Sequence, residues 1–298
     1  ISCVFWTLTL QTTIKYVLLT LQADNNGEGG IFSLYTLIRR KASWLIVPTM
    51  VGGAALLADG IITPPISVSS AIEGLRILYP DIPTVPIVLA ILTGLFLLQS
   101  FGTEIVGKAF GPVMFIWFTM LGSLGIVSVL HHPEILQALN PYYAYNLLAN
   151  YPNGFWVLGA VFLCTTGAEA LYSDLGHCGR PNIRFSWTFV KTTLFLNYLG
   201  QGAWLMTQQG MPLNENPFYG IMPGWFLLAG IAVATIAAII ASQALITGSF
   251  TLISEAIRLN LWPKVKLVYP TNQKGQLYVP SINWLLWVGC VGVVLYFR

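Results

Sequence analysis

The chain has 298 residues, 55% of them hydrophobic and only 8% charged, with a formal net charge of +3. Soluble domains carry roughly 25% charged residues, so this composition cannot cover a water-facing surface. The small net charge says little about nucleic acid, which is not expected as a partner. The cysteines (Cys3, Cys164, Cys178, Cys290) contain no CxxC pair, and two or three read as buried in spans rather than as a disulfide or zinc framework. A lipid-embedded chain remains. Its apolar runs are long and continuous instead of short and alternating, which predicts an all-α integral membrane protein and not a β-barrel.

A crossing takes roughly 20 apolar residues, and eight spans are predicted in one transmembrane domain over 1–298. The first covers about 1–21, with Lys15 near its inner end, where a long side chain can snorkel. The run Asn25-Asn26-Gly27-Glu28-Gly29-Gly30 lacks the lysine and strand–helix context of a phosphate loop. It reads as a tight turn entering a helix over 30–39. The second span, about 44–75, is long and is expected to break at Pro64-Pro65; Glu73 near its outer end could attract cations at an entrance. The third and fourth cover about 84–100 and 109–130. Segment 131–150 reads as a short interfacial helix whose Tyr142, Tyr143 and Tyr145 suit a headgroup belt. The remaining spans are about 155–173, 185–207, 224–256 and 280–297, with Pro152, Pro181, Pro223 and Pro280 at their edges. Ile1 lies inside one apolar run and Arg298 closely follows another, so the sequence reads as continuing at both ends.

Loop charges fix an orientation. Arg39, Arg40, Lys41, Lys108, Arg180, Arg184, Arg258, Lys264, Lys266 and Lys274 fall on one side, against Arg76 and Arg298 on the other. By the positive-inside rule the richer side is cytoplasmic, and the alternation supports eight spans.

Two carboxylates fall inside spans, Asp59 and Glu169. A carboxylate at mid-bilayer costs about 2.5–3.5 kcal/mol on insertion scales, so a purely structural helix rarely keeps one. A cation or proton site is one reading; a neutral acid holding two helices together is the other. Asp59 opens ADGIITPPISVSS, with Thr63 four residues on and so on the same helix face. Pro64 and Pro65 remove two amide donors and free carbonyls upstream. Oxygens of that kind suit a dehydrated alkali cation, although a simple kink would use the same residues. Glu169 follows Thr165, Thr166 and Gly167, poor helix formers that predict a locally unwound stretch. The threonines could instead bond back to helix carbonyls. Glu104 and Asp174 lie near cytoplasmic ends, where solvation is cheap. His131, His132 and His177 are in loops without metal-ligand spacing, and no Ser-His-Asp or HExxH pattern occurs. No cofactor is expected and the chain does not read as an enzyme.

Five stretches then carry a resemblance: ADNNGEGGIFSLYTL, ADGIITPPISVSSAIEGL, FGTEIVGKAFGPVMFIWF, LNPYYAYNLL and GAEALYSDLGHCGRPNIR, with LNYLGQGAW, NPFY and IASQALITGSFTL in support. Together they resemble the Kup (KUP/HAK/KT) potassium uptake permeases over essentially the whole chain. The resemblance implies the LeuT-like inverted-repeat core of the amino acid–polyamine–organocation superfamily and potassium uptake coupled to protons. It implies a multi-pass protein of the plasma (inner) membrane whose partners are potassium, protons and lipid, with a homodimer allowed. The first span here would be the family's second helix, and the segments around Pro64-Pro65 and Gly167 its third and sixth. Thr63 and Thr166 match the family's potassium-binding threonines. Asp59 and Glu169 match its membrane carboxylates, proposed there for proton coupling or cation attraction. Many relatives carry Glu, one methylene longer, in place of Asp59. The GDIGTSPLY-like motif of the family's first helix has no counterpart in this sequence, nor do its last helices and C-terminal domain, so a fragment is expected. On the residues alone, a proton-coupled amino acid or amine permease on the same core stays open. A potassium channel is disfavoured by the absence of a TVGYG-like filter, and an intramembrane enzyme by the lack of a nucleophile or metal ligands around the two acids.

Overall fold

The computed structural model describes residues 1–25, 27–101, 104–173, 175–210, 213, 216–270 and 277–297, the side chains of 104–106, 108 and 177 excepted. Asn26, Asp174, Lys274 and Arg298, and the side chains of Glu104, Lys108 and His177, therefore lie outside the described residues. Apart from two isolated β-bridges, Asn25 with Glu28 and Val268 with Tyr278, the regular structure described is helical. The α-helices are α1 (Ser2–Thr7), α2 (Ile31–Ile38), α3 (Ile46–Glu73), α4 (Leu75–Leu78), α5 (Thr84–Leu98), α6 (Glu104–His131) and α7 (Pro141–Asn150). They continue with α8 (Gly154–Leu163), α9 (Ala170–Ser173), α10 (Leu175–Cys178), α11 (Arg180–Thr207), α12 (Pro217–Gly220), α13 (Leu227–Arg258) and α14 (Pro280–Tyr296).

Among the described residues, five stretches are helical, long and apolar enough to cross a membrane: Ser2–Gln22, Ser43–Leu78, Thr84–Phe101, Ala109–His131 and Leu227–Arg258. Gly154–Leu163 and Pro280–Tyr296 are shorter apolar helices. The expected span at 185–207 lies within α11, where Lys191, Asn197 and Gln201 dilute its apolar character. Residues 155–173 are helical over Gly154–Leu163 and Ala170–Ser173, with the expected unwound stretch between them. One expectation changes: the second span, expected to break at Pro64-Pro65, runs as one helix from Ile46 to Glu73 with both prolines inside it.

The chain divides into two compact units. The first holds residues 1–29 and 116–227. Its opening helix passes from α1 into a π-helix over Leu8–Leu19. Thr13 and Thr20 donate to carbonyls five residues back, Leu8 O at 3.2 Å and Lys15 O at 2.7 Å. Thr9, Thr12, Thr13, Ile14 and Val17 are β-branched and crowd an α-helical ladder, which fits this wider turn. α6 and α11 meet backbone to backbone: a Cβ on Gly125 would lie 2.2 Å from Leu196 O, and one on Gly200 2.7 Å from Gly125 Cα. Small residues permit such contact between membrane helices. Ser128 adds a hydrogen bond to Gly200 O at 2.9 Å. Ile135, Leu199 and Ala203 form a small core beside it. The same Asn-Pro device starts two helices: Asn140 accepts from Tyr142 N and Asn216 from Phe218 N, both at 3.0 Å, each followed by a proline that needs no donor there. The expected 131–150 helix is thus a 3₁₀ turn over Pro133–Leu139 followed by α7, with Tyr142, Tyr143 and Tyr145 exposed.

The second unit holds residues 30–115 and 228–298. Apolar residues at helical spacing build its core: Val88, Leu92 and Phe96 on α5, Ile246, Phe250 and Ile253 on α13, Ile282, Leu286 and Cys290 on α14, with Val68 and Ile72 from α3. Amides lock the end of α5. Gln99 and Gln243 exchange hydrogen bonds at 2.6 and 3.0 Å, and Asn283 Nδ2 donates to Phe96 O at 3.2 Å.

Candidate functional site

In the second unit, Asp59 and Thr63 are one helical turn apart on α3, and the predicted shared face is real. Thr63 Oγ1 donates to Asp59 Oδ1 at 2.5 Å. Because the hydroxyl spends its single hydrogen on the carboxylate, its lone pairs are free to face a cation. Asp59 Oδ2 is buried without a hydrogen-bond partner among the described residues. Leaving a buried polar atom unpaired costs about 1–3 kcal/mol, more if charged, so this oxygen is an open acceptor position beside Thr63.

The prolines act differently from expectation. Pro64 and Pro65 withhold the N–H groups that would bond to Gly60 O and Ile61 O. Those carbonyls face Cys290 on α14, whose Sγ lies 3.8 Å from Gly60 O and 3.3 Å from Ile61 O. The thiol thus offers these carbonyls a weak donor in place of the missing N–H groups. Sequence alone marks Cys290 as a buried thiol and gives no sign of this role.

In the first unit, Glu169 and Thr166 occupy the stretch between α8 and α9, where the predicted unwinding is present. Gly167 has φ +87°, a conformation L side chains rarely adopt. Its N–H donates to Glu169 Oε1 at 3.2 Å, so the carboxylate folds back on its own backbone. The hydroxyls of Thr165 and Thr166 donate to Phe162 O at 2.8 Å and Leu163 O at 2.9 Å. This is the back-bonding alternative, and it too leaves hydroxyl lone pairs available. Tyr198 OH on α11 donates to Cys164 O at 3.4 Å.

The glycine-rich turn after the first helix docks in the same unit. Asp24 Oδ1 pairs with Arg180 at 2.8 Å while its Oδ2 accepts from Gly27 N at 2.9 Å. Tyr172 OH donates to Ala23 O at 2.5 Å, and Tyr172 N donates to Glu169 O at 3.0 Å. The sequence marks Arg180 only as a loop charge and gives no sign that it meets Asp24, or that Tyr172 meets Ala23. Glu73, at the end of α3, is exposed. Lys15 is exposed, with Nζ 4.9 Å from the Tyr16 ring centre. The four cysteines are free, and among the described residues no cluster of His, Cys, Asp and Glu could hold a metal.

Several long apolar helices, one of them bearing a hydroxyl–carboxylate pair, define a multi-pass helical membrane protein. The whole chain, residues 1–298, matches the family model described as "K+ potassium transporter integral membrane domain". The chain belongs to that family. It is 67% identical over 308 residues to a protein of Flavobacterium johnsoniae named "Probable potassium transport system protein Kup", covering 100% of this chain and 47% of that protein. Proteins of the same name in Cytophaga hutchinsonii and Clostridium perfringens are 66% identical over 302 residues and 58% identical over 313, each covering all of this chain and 46% and 48% of the relative. The chain thus spans about half the length of the curated relatives it matches. No solved structure matches it.

Proposed function

We propose that this chain serves potassium uptake across the plasma (inner) membrane, as proton-coupled symport by alternating access on a LeuT-like core of which it supplies about eight spans. The observation that carries the reading is its 67% identity, along its whole length, to a protein named as a probable potassium transport system protein. The geometry supports it from two directions. Thr63 holds its oxygen beside Asp59 with lone pairs directed away from the carboxylate, as a potassium ligand requires, and Thr166 offers a second such hydroxyl. Asp59 Oδ2, buried and unbonded among the described residues, is suited to take a proton or attract a cation. Glu169 is the second candidate proton carrier, and exposed Glu73 a candidate outer entrance. A potential of about 100 mV adds about 2.3 kcal/mol per charge moved inward, so a potassium ion entering with a proton can be accumulated steeply.

The test is expression of the full-length gene in a strain lacking potassium uptake. Growth at low potassium, with uptake stimulated by an inward proton gradient, is the expected outcome. Membrane expression without rescue would overturn the reading, and rescue indifferent to the proton gradient would overturn the coupling.

A further inference from the structure

The helical path of α3 through Pro64-Pro65 has to be maintained by something other than its own hydrogen bonds. The acceptors left over belong to Gly60 and Ile61, the two residues directly after Asp59 and within the turn that ends at Thr63. A backbone carbonyl inside a lipid-embedded protein needs a donor, because no bulk water is present to supply one. The donor in reach is the thiol of Cys290, which is fully buried, 3.3 Å from Ile61 O and 3.8 Å from Gly60 O. α14 is pressed close enough to deliver it: a Cβ on the neighbouring Gly289 would sit 2.7 Å from Ile61 Cγ2.

We infer that Cys290 is a positioning residue for the Asp59–Thr63 pair. Its one hydrogen is shared between two carbonyls of the same turn, and it fixes the pitch of that turn. The pitch in turn sets the 2.5 Å separation of Thr63 Oγ1 and Asp59 Oδ1. Cys290 acts through the backbone and need touch no ion. A thiol suits the task, since sulfur is large enough to lie between two carbonyls and is a weak donor that leaves the helix bonds around it intact. The inference rests on the potassium-uptake reading for its transport consequence, and on geometry alone for its structural one.

Two measurements on the full-length protein separate these. In uptake assays, Cys290→Ala should raise the KM for potassium roughly three- to tenfold with Vmax per molecule little changed. Cys290→Ser, which keeps a donor in the same place, should restore it. An unchanged KM in Cys290→Ala, or equal shifts in both variants, overturns the inference. The second readout is the infrared carboxyl band of Asp59, assigned by its loss in Asp59→Asn. It should move in Cys290→Ala and return in Cys290→Ser; a band indifferent to both variants overturns the inference even if the wild-type protein moves no potassium. Failure of wild-type uptake sinks the functional reading and leaves the infrared result to decide this one.

Discussion

Asp59 and Glu169 are both carboxylates in apolar sequence, and the chain holds them by opposite means. Asp59 stands on a continuous helix, takes its hydrogen bond from a side chain one turn away, and depends on a neighbouring helix to bond the carbonyls beneath it. Glu169 stands where the helix has come apart, and its carboxylate bonds to the backbone two residues before it. The first arrangement keeps regular backbone and varies side-chain chemistry. The second uses the backbone itself as the partner, which only a residue free to adopt φ +87° allows. The two acids should therefore respond differently to the same kind of change.

The largest contrast is expected from neutralisation. Glu169→Gln keeps an oxygen that can accept from Gly167 N–H, so the turn should persist while the charge is lost. A contact to a charged group contributes about 1.5–3 kcal/mol, so uptake should fall about tenfold or more and lose its pH dependence, as read by potassium flux across a pH series. Asp59→Asn likewise keeps an acceptor for Thr63, and its flux should fall mainly through a raised potassium KM. Matching flux profiles for the two variants would erase the distinction between them.

Next in size is Gly167→Ala. Among the described residues, and its chain neighbours apart, no atom lies within 4 Å of an added Cβ, so the penalty is mainly conformational. A non-glycine residue in the left-handed region costs about 1–2 kcal/mol, which should lower the melting temperature of the purified protein in detergent. An alanine variant as stable as wild type would mean that the turn relaxes to another conformation. The smallest effect is expected at Asp24. Its ion pair with Arg180 is about one-third exposed on both sides, and exposed pairs contribute about 0.2–1 kcal/mol. Asp24→Asn should cost no more than that at low salt and less at high salt, measured by the same melts. A cost that ignores salt would locate Asp24's contribution in its bond to Gly27 N instead.

Much of this was legible in the sequence because lipid leaves few options. Long apolar runs predict the helices, and a Thr-Thr-Gly run predicts the unwound stretch, since three poor helix formers in succession weaken the helix locally. The shared face of Asp59 and Thr63 follows from helical geometry. What stayed hidden depends on partners remote in sequence. Pro64 and Pro65 announce two missing donors, and nothing near them announces the thiol that faces the freed Ile61 carbonyl from 229 residues away. The same holds for Arg180 on Asp24 and Tyr172 on Ala23, each a contact across more than 140 positions. Local pattern located the acids. Tertiary packing decided which of their neighbouring oxygens are already engaged.

Tyr172 spans two places at once. Its hydroxyl holds the carbonyl of Ala23 at the exit of the first helix, and its amide holds the carbonyl of Glu169. A single residue thus joins the glycine-rich turn to the peptide that carries the acid. Local opening proceeds in cooperative blocks whose members share bonds. Tyr172 couples its two partners in this way: loosening the bond to Ala23 O or the bond to Glu169 O strains the other, so a loop that reads as a mere connection shares in the energetics of the peptide that carries the acid.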